Sequence, residues 1–418
     1  MEEAVLRGLA PDGGLYMPET LPTFSRAEME TWKGRSWPEV AGAAAGRLLS
    51  SALDQSSLDH LLGEALNFPV PLVTLRDRIH ILELFHGPTL AFKDVGARFM
   101  AGLMDHFRRG REDSLTVLTA TSGDTGGAVA QAFLGLPGVR VVVLFPDGKV
   151  TPRQERQFST LGGNVIAVAV QGDFDDCQRL AKAAFKDLSL RKTVDLTSAN
   201  SINVGRLLPQ MFYYFHAWAE IGSAADEILF SVPSGNFGNL AAGLMARAVG
   251  LGGVSFLAST NANDGVPRFL QSGRFTPLPS VPTLSSAMDV GDPSNLARIL
   301  HLYQNNLPKL KSDLVGRSVS DKETQECIRR TYDDFGYVLD PHTAVGLAAL
   351  ELEMKDRPGT DGVLLATAHP AKFAEVVEPI LERSLPIPQR LARCLEGNRM
   401  VVSMEPEEDA LRELLLEV

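Results

Sequence analysis

Short apolar runs alternate with amphipathic stretches along most of the chain. "SLTVLTAT", "VRVVVLF", "NVIAVAV", "EILFSV", "VSFLAS" and "GVLLAT" are rich in Val, Ile and Leu and predict buried strands. Between them, "DDCQRLAKAAFKDL" and "VGRLLPQMFYYFHAWAE" predict helices. Continuous apolar strands separated by helices point to parallel sheets covered on both faces. The first 75 or so residues mix helical patterns such as "WPEVAGAAAGRLLSSAL" with Pro/Gly turns such as "APDGGLYMPETLP", and predict a small leading lobe. The closing "MEPEEDALRELLLEV" predicts a solvated terminal helix rather than an acidic interaction tail.

In such sheets ligands collect beyond the carboxyl ends of the strands, so the loops there hold the candidate chemistry. After "SLTVLTAT" comes Ser122-Gly123-Asp124-Thr125-Gly126-Gly127, and after "EILFSV" comes Pro233-Ser234-Gly235-Asn236-Phe237-Gly238-Asn239. Each leads into a helical pattern. Glycines let a backbone approach a ligand, and a helix N-terminus favours an anion. The same residues also make ordinary turns and N-caps, and two such loops in one α/β chain shift the weight toward a ligand. Neither loop matches the ATP-binding or dinucleotide-binding glycine patterns. A third segment, "TSANSINVGRLLPQ", places Asn200, Ser201, Asn203 and Arg206 at a helix start. It reads either as a second anion site or as a capped helix with a surface arginine.

Composition narrows the classes. At 418 residues the chain exceeds one compact domain and predicts two or three lobes. A formal net charge of −11 argues against a nucleic-acid partner. Three cysteines, Cys177, Cys327 and Cys394, lie far apart without metal-ligand or disulfide spacing, which fits a reducing compartment and no metal site. No apolar run is long enough to cross a bilayer and no signal peptide is visible, so a soluble, cytoplasmic protein is expected.

One cation stands out. In "LAFKD" Lys93 lies among apolar and small residues, followed by Asp94. It reads as a lysine that pairs with Asp94 or extends to the surface, or as a desolvated amine able to form a Schiff base. The anion loops strengthen the second reading, because a phosphorylated carbonyl cofactor needs both an amine and a phosphate cradle.

"FHGPTLAFKD", "TSGDTGG", "PSGNFGN" and "LATAHPAKF" together resemble the motifs of the threonine synthases. These are pyridoxal 5'-phosphate (PLP) enzymes of the tryptophan-synthase-β-like fold, fold type II. "APDGGLYMPE", "TLGGNV", "TNANDGVPRFL" and "SSAMDV" are similar to that family as well, in order and over nearly the whole chain. The likeness is to the branch with a long N-terminal lobe.

The resemblance implies an α/β fold of parallel sheets flanked by helices in two lobes, with a small N-terminal lobe. The expected boundaries are residues 1–75 for that lobe, 76–112 with 206–418 for the large PLP-binding domain, and 113–205 for a small mobile domain. Lys93 matches the Schiff-base lysine and is the expected catalytic residue. Ser234, Gly235, Asn236, Phe237, Gly238 and Asn239 match the cradle for the PLP phosphate. Asp124 is expected near the phenolic oxygen of PLP and Thr367 at its pyridine nitrogen. Thr121, Ser122 and Thr125 match the loop that receives the substrate α-carboxylate, and Asn200, Ser201 and Arg206 match residues that hold the substrate phosphate. The implied activity is conversion of O-phospho-L-homoserine and water to L-threonine and phosphate. The alternatives are a related PLP lyase, either a threonine or serine dehydratase or a phospholyase releasing 2-oxobutanoate, and more distantly a non-catalytic binding protein of the same fold. The expected partner is a small-molecule substrate, with no nucleic acid or membrane, in a monomer or homodimer.

Three departures from the family pattern stand out. Family members usually carry a further strand-like stretch with a "STRG"-type motif before "APDGGLYMPE", so that edge is expected to be absent or to lie upstream of Met1. Asp124 stands where many related enzymes have Asn. A hydroxyl at Thr367 in place of a carboxylate is expected to leave the pyridine nitrogen largely unprotonated, which weakens the electron sink.

Overall fold

The apolar runs form the strands of two sheets. In a computed structural model that describes residues 1–222 and 227–417, the strands are β1 (Leu72–Arg76), β2 (Ile79–Glu83), β3 (Leu115–Ala120), β4 (Val139–Pro146), β5 (Val165–Val170), β6 (Asp195–Ser198), β7 (Glu227–Pro233), β8 (Val254–Thr260), β9 (Leu314–Ser318), β10 (Thr360–Ala366) and β11 (Val402–Met404). The six predicted strands are β3, β4, β5, β7, β8 and β10. They are almost wholly buried, which is why their sequences are continuously apolar. The pattern missed β1, β9 and β11, whose residues are largely half-buried or exposed, and β2 and β6, which are mostly buried but broken by polar residues such as His80, Glu83, Thr197 and Ser198.

One sheet runs β1-β2-β10-β7-β8-β9 and the other β11-β5-β4-β3-β6. Every pairing is parallel except the β1–β2 edge hairpin. The contacts divide the chain into two units. The first comprises Met1–Tyr16, Lys93–Arg206 and Ile387–Val418, and the second Met17–Phe92 and Leu207–Pro386. This division differs from the expected one in where it places residues 1–75, 93–112, 206 and 387–418.

The first unit is built on the five-stranded sheet. Its terminal helix, Glu408–Glu417, is not simply solvated, because Leu411 and Leu415 pack into a core with Cys177, Leu180 and Val168. The amphipathic pattern of that helix outweighs its local acid density. Val418, the end of the expected terminal segment, lies outside the described residues.

The second unit is built on the six-stranded sheet. The expected single helix over 204–220 is two, Val204–Leu207 and Gln210–Ile221, broken at Pro209, whose ring removes a backbone donor. Residues 210–219 of the longer helix are all buried, so this helix is apolar on every side. Phe215 on it packs edge-to-face with Phe24 and Trp32 from the N-terminal region.

Candidate active site

The loop after β7 is shaped to receive an anion. Ser234 closes the strand by donating its N–H to the Ser259 carbonyl at 2.9 Å and its hydroxyl to the Val232 carbonyl at 2.8 Å. Phe237 then takes φ +59°, a left-handed conformation that is costly for a side chain of this size. Among the described residues, the backbone N–H groups of 235–240 donate to no protein acceptor, and that of Ala241 returns to the Phe237 carbonyl. These donors stand at the start of the helix Gly238–Ala248, where its dipole favours negative charge.

Asn239 adds a side-chain donor. Its Oδ1 lies 2.5 Å from the Tyr213 hydroxyl and 2.7 Å from that of Tyr214. Burial pushes both tyrosines well above their ordinary range, so they remain protonated donors. With Oδ1 held in this way, Nδ2 is fixed at the opposite side, buried and without an acceptor. A buried donor in this state calls for an anionic or neutral acceptor from a ligand. Gly235 completes the cradle, since a Cβ there would stand 2.9 Å from Ala287 O and Met288 Cα. The residues present therefore fit a phosphate such as that of PLP.

The approach to Lys93 is pinned in the same unit. The Phe92 N–H donates to the Thr367 carbonyl at 2.8 Å, the His369 N–H to the Leu90 carbonyl at 3.0 Å, and Ala91 bridges Ala368. Lys372, fully buried, donates from Nζ to the Thr89 carbonyl at 2.8 Å. Leu90 has φ +59°, a strained turn that these bonds hold. Thr367 is 6% exposed, and its hydroxyl has no hydrogen-bond partner among the described residues. Lys93 itself is half-buried and opens the helix Lys93–Arg108, while Asp94 beside it is buried.

In the first unit, the Thr121–Thr125 loop follows β3. The Thr121 hydroxyl accepts from the Gly123 N–H at 2.9 Å and the Gly126 N–H at 2.8 Å and donates to the Gly123 carbonyl at 3.0 Å. One donor and two acceptor positions are thus all engaged inside the loop. Ser122 and Thr125 are half-buried. Asp124, 4% exposed, accepts at Oδ1 from Gln154 Nε2 at 2.8 Å.

The third segment is tied to that loop. Asn200 accepts at Oδ1 from the Thr119 hydroxyl and the Ala120 N–H, and donates from Nδ2 to the Ala120 carbonyl at 2.8 Å. Asn203, fully buried, donates to the carbonyls of Val5 and Ser198 and so serves packing. Arg206 is not a surface residue. It is 3% exposed, donates from Nη1 to the Ala199 carbonyl at 2.7 Å, and has its pKa lowered to about 10 by burial, partly offset by the Asp94 charge. It therefore stays cationic at neutral pH, in surroundings where an anion interacts strongly with it. Ser201, five residues before it, is half-buried.

The first unit thus groups Thr121–Thr125 with Asn200 and carries Lys93 and Arg206. The second carries the Ser234–Asn239 cradle and Thr367. Sequence patterns did not point to Tyr213, Tyr214, Gln154 or Lys372, because each acts on a residue distant in the chain.

A fold of this kind with these loops belongs to a known class. Residues 67–367 match the family model "Pyridoxal-phosphate dependent enzyme". The chain is a PLP-dependent enzyme of fold type II. Its two ends narrow the class, since residues 1–66 match "Threonine synthase N terminus" and residues 343–415 match "Threonine synthase, C-terminal". Threonine synthase from Escherichia coli (strain K12) is 43% identical over 415 residues, covering 99% of this chain and 96% of the relative. The crystal structure of the Escherichia coli enzyme superimposes with a TM-score of 0.94 at 43% identity, over 100% of this chain and 96% of that one. PLP-bound threonine synthase from Brucella melitensis gives a TM-score of 0.92 at 33% identity, over 100% and 96% of the two chains. The chain belongs to the threonine synthase family.

Proposed function

We propose that the chain converts O-phospho-L-homoserine and water to L-threonine and inorganic phosphate. The observation that carries this reading is Arg206. A buried guanidinium, in a segment that Asn200 ties to the end of β3, gives the chain a place for an anion besides the Ser234–Asn239 cradle. A phosphorylated cofactor needs one such place and a phosphorylated substrate the other.

In this reading Ser234, Gly235, Asn236, Phe237, Gly238 and Asn239 would hold the PLP phosphate, Lys93 would be its amine partner, and Thr367 would offer a hydroxyl to its ring nitrogen. Asp124 would be the residue at its phenolic oxygen. Bound PLP supplies an electron sink for a substrate attached through its amine. Ser122, Thr125 and the first N–H groups of the helix Asp124–Phe133 hold the α-carboxylate, with Thr121 shaping that loop from within. Asn200, Ser201 and Arg206 hold the γ-phosphate. Lys93 Nζ would be the base that takes the proton at Cα and then one at Cβ. The Cγ–O bond breaks with its electrons leaving on phosphate, and Cγ gains a proton to become the methyl group. Hydroxide from water adds at Cβ and a proton returns to Cα, so phosphohomoserine and one water balance threonine and phosphate.

Product analysis with O-phospho-L-homoserine tests the reading. Threonine and phosphate in equal amounts support it, whereas 2-oxobutanoate, phosphate and ammonia would assign the chain to a lyase that stops at elimination. The purified protein is expected to be yellow, and a Lys93→Ala variant to lose that colour. A variant with unchanged colour removes Lys93 from its role.

A further inference from the structure

The Ser234–Asn239 cradle has a support that neither its own sequence nor the family motifs indicate. Asn295 directs two donors at one carbonyl: its N–H lies 3.3 Å and its Nδ2 3.0 Å from Asn236 O. The Asn295 amide is itself oriented by Arg298, whose Nη1 donates to Asn295 Oδ1 at 2.6 Å. Asn295 is fully buried and Arg298 is 2% exposed. The neighbouring Ser294 N–H reaches Asn236 Oδ1 at 3.4 Å, so Asn236 is held at both backbone and side chain.

A trans peptide is planar, with its C=O and N–H pointing in opposite directions. Fixing the Asn236 carbonyl against Asn295 therefore fixes the Phe237 N–H on the far side, where no protein acceptor among the described residues meets it. Phe237 also has φ +59°, and a strained residue keeps its conformation only when its surroundings over-determine it. The Asn295 clamp is such a constraint. Burial lowers the Arg298 pKa to about 10, so the guanidinium at the end of the relay remains a fixed positive charge at neutral pH.

We propose that Arg298 and Asn295 are positioning residues for the cofactor phosphate: Arg298 orients Asn295, and Asn295 turns the Asn236–Phe237 peptide so that its N–H faces the phosphate. The inference rests on the reading of Ser234–Asn239 as the PLP phosphate cradle. Its signature is selectivity, because a relay that serves the phosphate should leave unphosphorylated pyridoxal indifferent to its loss.

The test titrates PLP and pyridoxal separately into protein freed of cofactor, for the unsubstituted chain and for Arg298→Met, Arg298→Lys and Asn295→Ser. Arg298→Met and Asn295→Ser are expected to weaken PLP at least about tenfold, the scale of one charge-assisted or buried hydrogen bond, while pyridoxal changes little. Arg298→Lys, which keeps the charge, is expected to recover part of the loss. Equal losses for PLP and pyridoxal would make the pair merely structural and overturn the proposal, as would unchanged PLP affinity. Should Arg298→Met fail to fold, the smaller Asn295→Ser change decides by the same two affinities. Failure of the unsubstituted chain to bind PLP would instead overturn the functional reading, and the relay with it.

Discussion

A Cβ on Gly96 would stand 2.7 Å from the carbonyl oxygen of Arg206. Gly96 lies in the first turn of the helix that Lys93 opens, so the backbone of the buried arginine rests directly on the helix that presents the amine. Glycine to alanine inside a helix normally gains stability, by roughly 1 kcal/mol. Here the new methyl meets backbone, which no rotamer change can relieve, and overpacking of that kind costs about 1–3 kcal/mol. Gly96→Ala is therefore expected to lower the unfolding midpoint and to raise KM for phosphohomoserine by displacing Arg206. A variant more stable than its parent, with KM unchanged, would show that the two segments part freely.

Gly235→Ala is the matching test in the phosphate cradle. Its Cβ would approach Ala287 O and Met288 Cα at 2.9 Å. That turn cannot readily retreat, because the Ala287 N–H donates to His342 Nε2 at 3.2 Å and His342 Nδ1 lies 2.7 Å from buried Asp340 Oδ2. The loop must move instead. PLP affinity is expected to fall about tenfold or more, as one or two backbone donors lose their aim. A PLP titration that overlays the parent's would show that the cradle tolerates the shift.

The sequence pattern reaches the strands that are continuously apolar and misses those broken by polar residues, such as β2 with His80 and Glu83 inside the sheet. Central strands buried on both faces must be continuously apolar, so β3, β4, β7, β8 and β10 are readable, whereas half-exposed β1 and β9 resemble loops. The anion loops are readable for a local reason, since Gly, Ser and Asn follow a strand and precede a helix. Their supports are not. Tyr213 acts on Asn239 from 26 residues away, Gln154 on Asp124 from 30, and Asn295 on Asn236 from 59. Arg206 left two readings open because spacing does not report burial, and its burial removes the surface-arginine reading. Thr121 carries the opposite lesson. Its motif groups it with substrate-holding residues, yet its hydroxyl is fully engaged within its own loop.

A pH dependence follows from His369, two residues beyond Thr367. Burial lowers its pKa to about 4, with His86 and Lys372 adding to the effect while Asp340 and Glu83 oppose it. The unfolded chain takes up this proton near its ordinary value of 6.5. The stability from neutral His369 is therefore fully present above that pH, declines as pH falls, and is gone below about 4. The limit is about 3 kcal/mol, and partial exposure makes the real change smaller. Protonation would also remove Nδ1 as acceptor for the Ala371 N–H, at 3.1 Å, and loosen the turn that carries Lys372. Denaturant unfolding between pH 4.5 and 7 should show the decline. His369→Asn, whose side chain can accept the same N–H, should flatten this part of it. An unchanged slope in that variant would place the titration elsewhere.

Arg206 makes a prediction that does not depend on turnover. Burial lowers its pKa to about 10, so folding holds a charge in poorly solvating surroundings, and the Asp94 charge offsets only part of that cost. Its own titration changes stability only above pH 10, where the folded protein releases the proton before the unfolded chain does, so stability rises with pH there. Near neutral pH this contribution is flat, and an anion bound beside the guanidinium would interact favourably with it. With PLP occupying the Ser234–Asn239 cradle, inorganic phosphate should still raise the unfolding midpoint. A concentration of about 100 times Kd corresponds to roughly 2.7 kcal/mol of stabilisation, or several degrees for units of this size. Arg206→Met should abolish that rise while leaving the PLP affinity close to the parent's. If phosphate stabilised both proteins equally, its site would lie elsewhere. If PLP affinity fell along with the phosphate response, Arg206 would be a structural residue and not a ligand for the substrate.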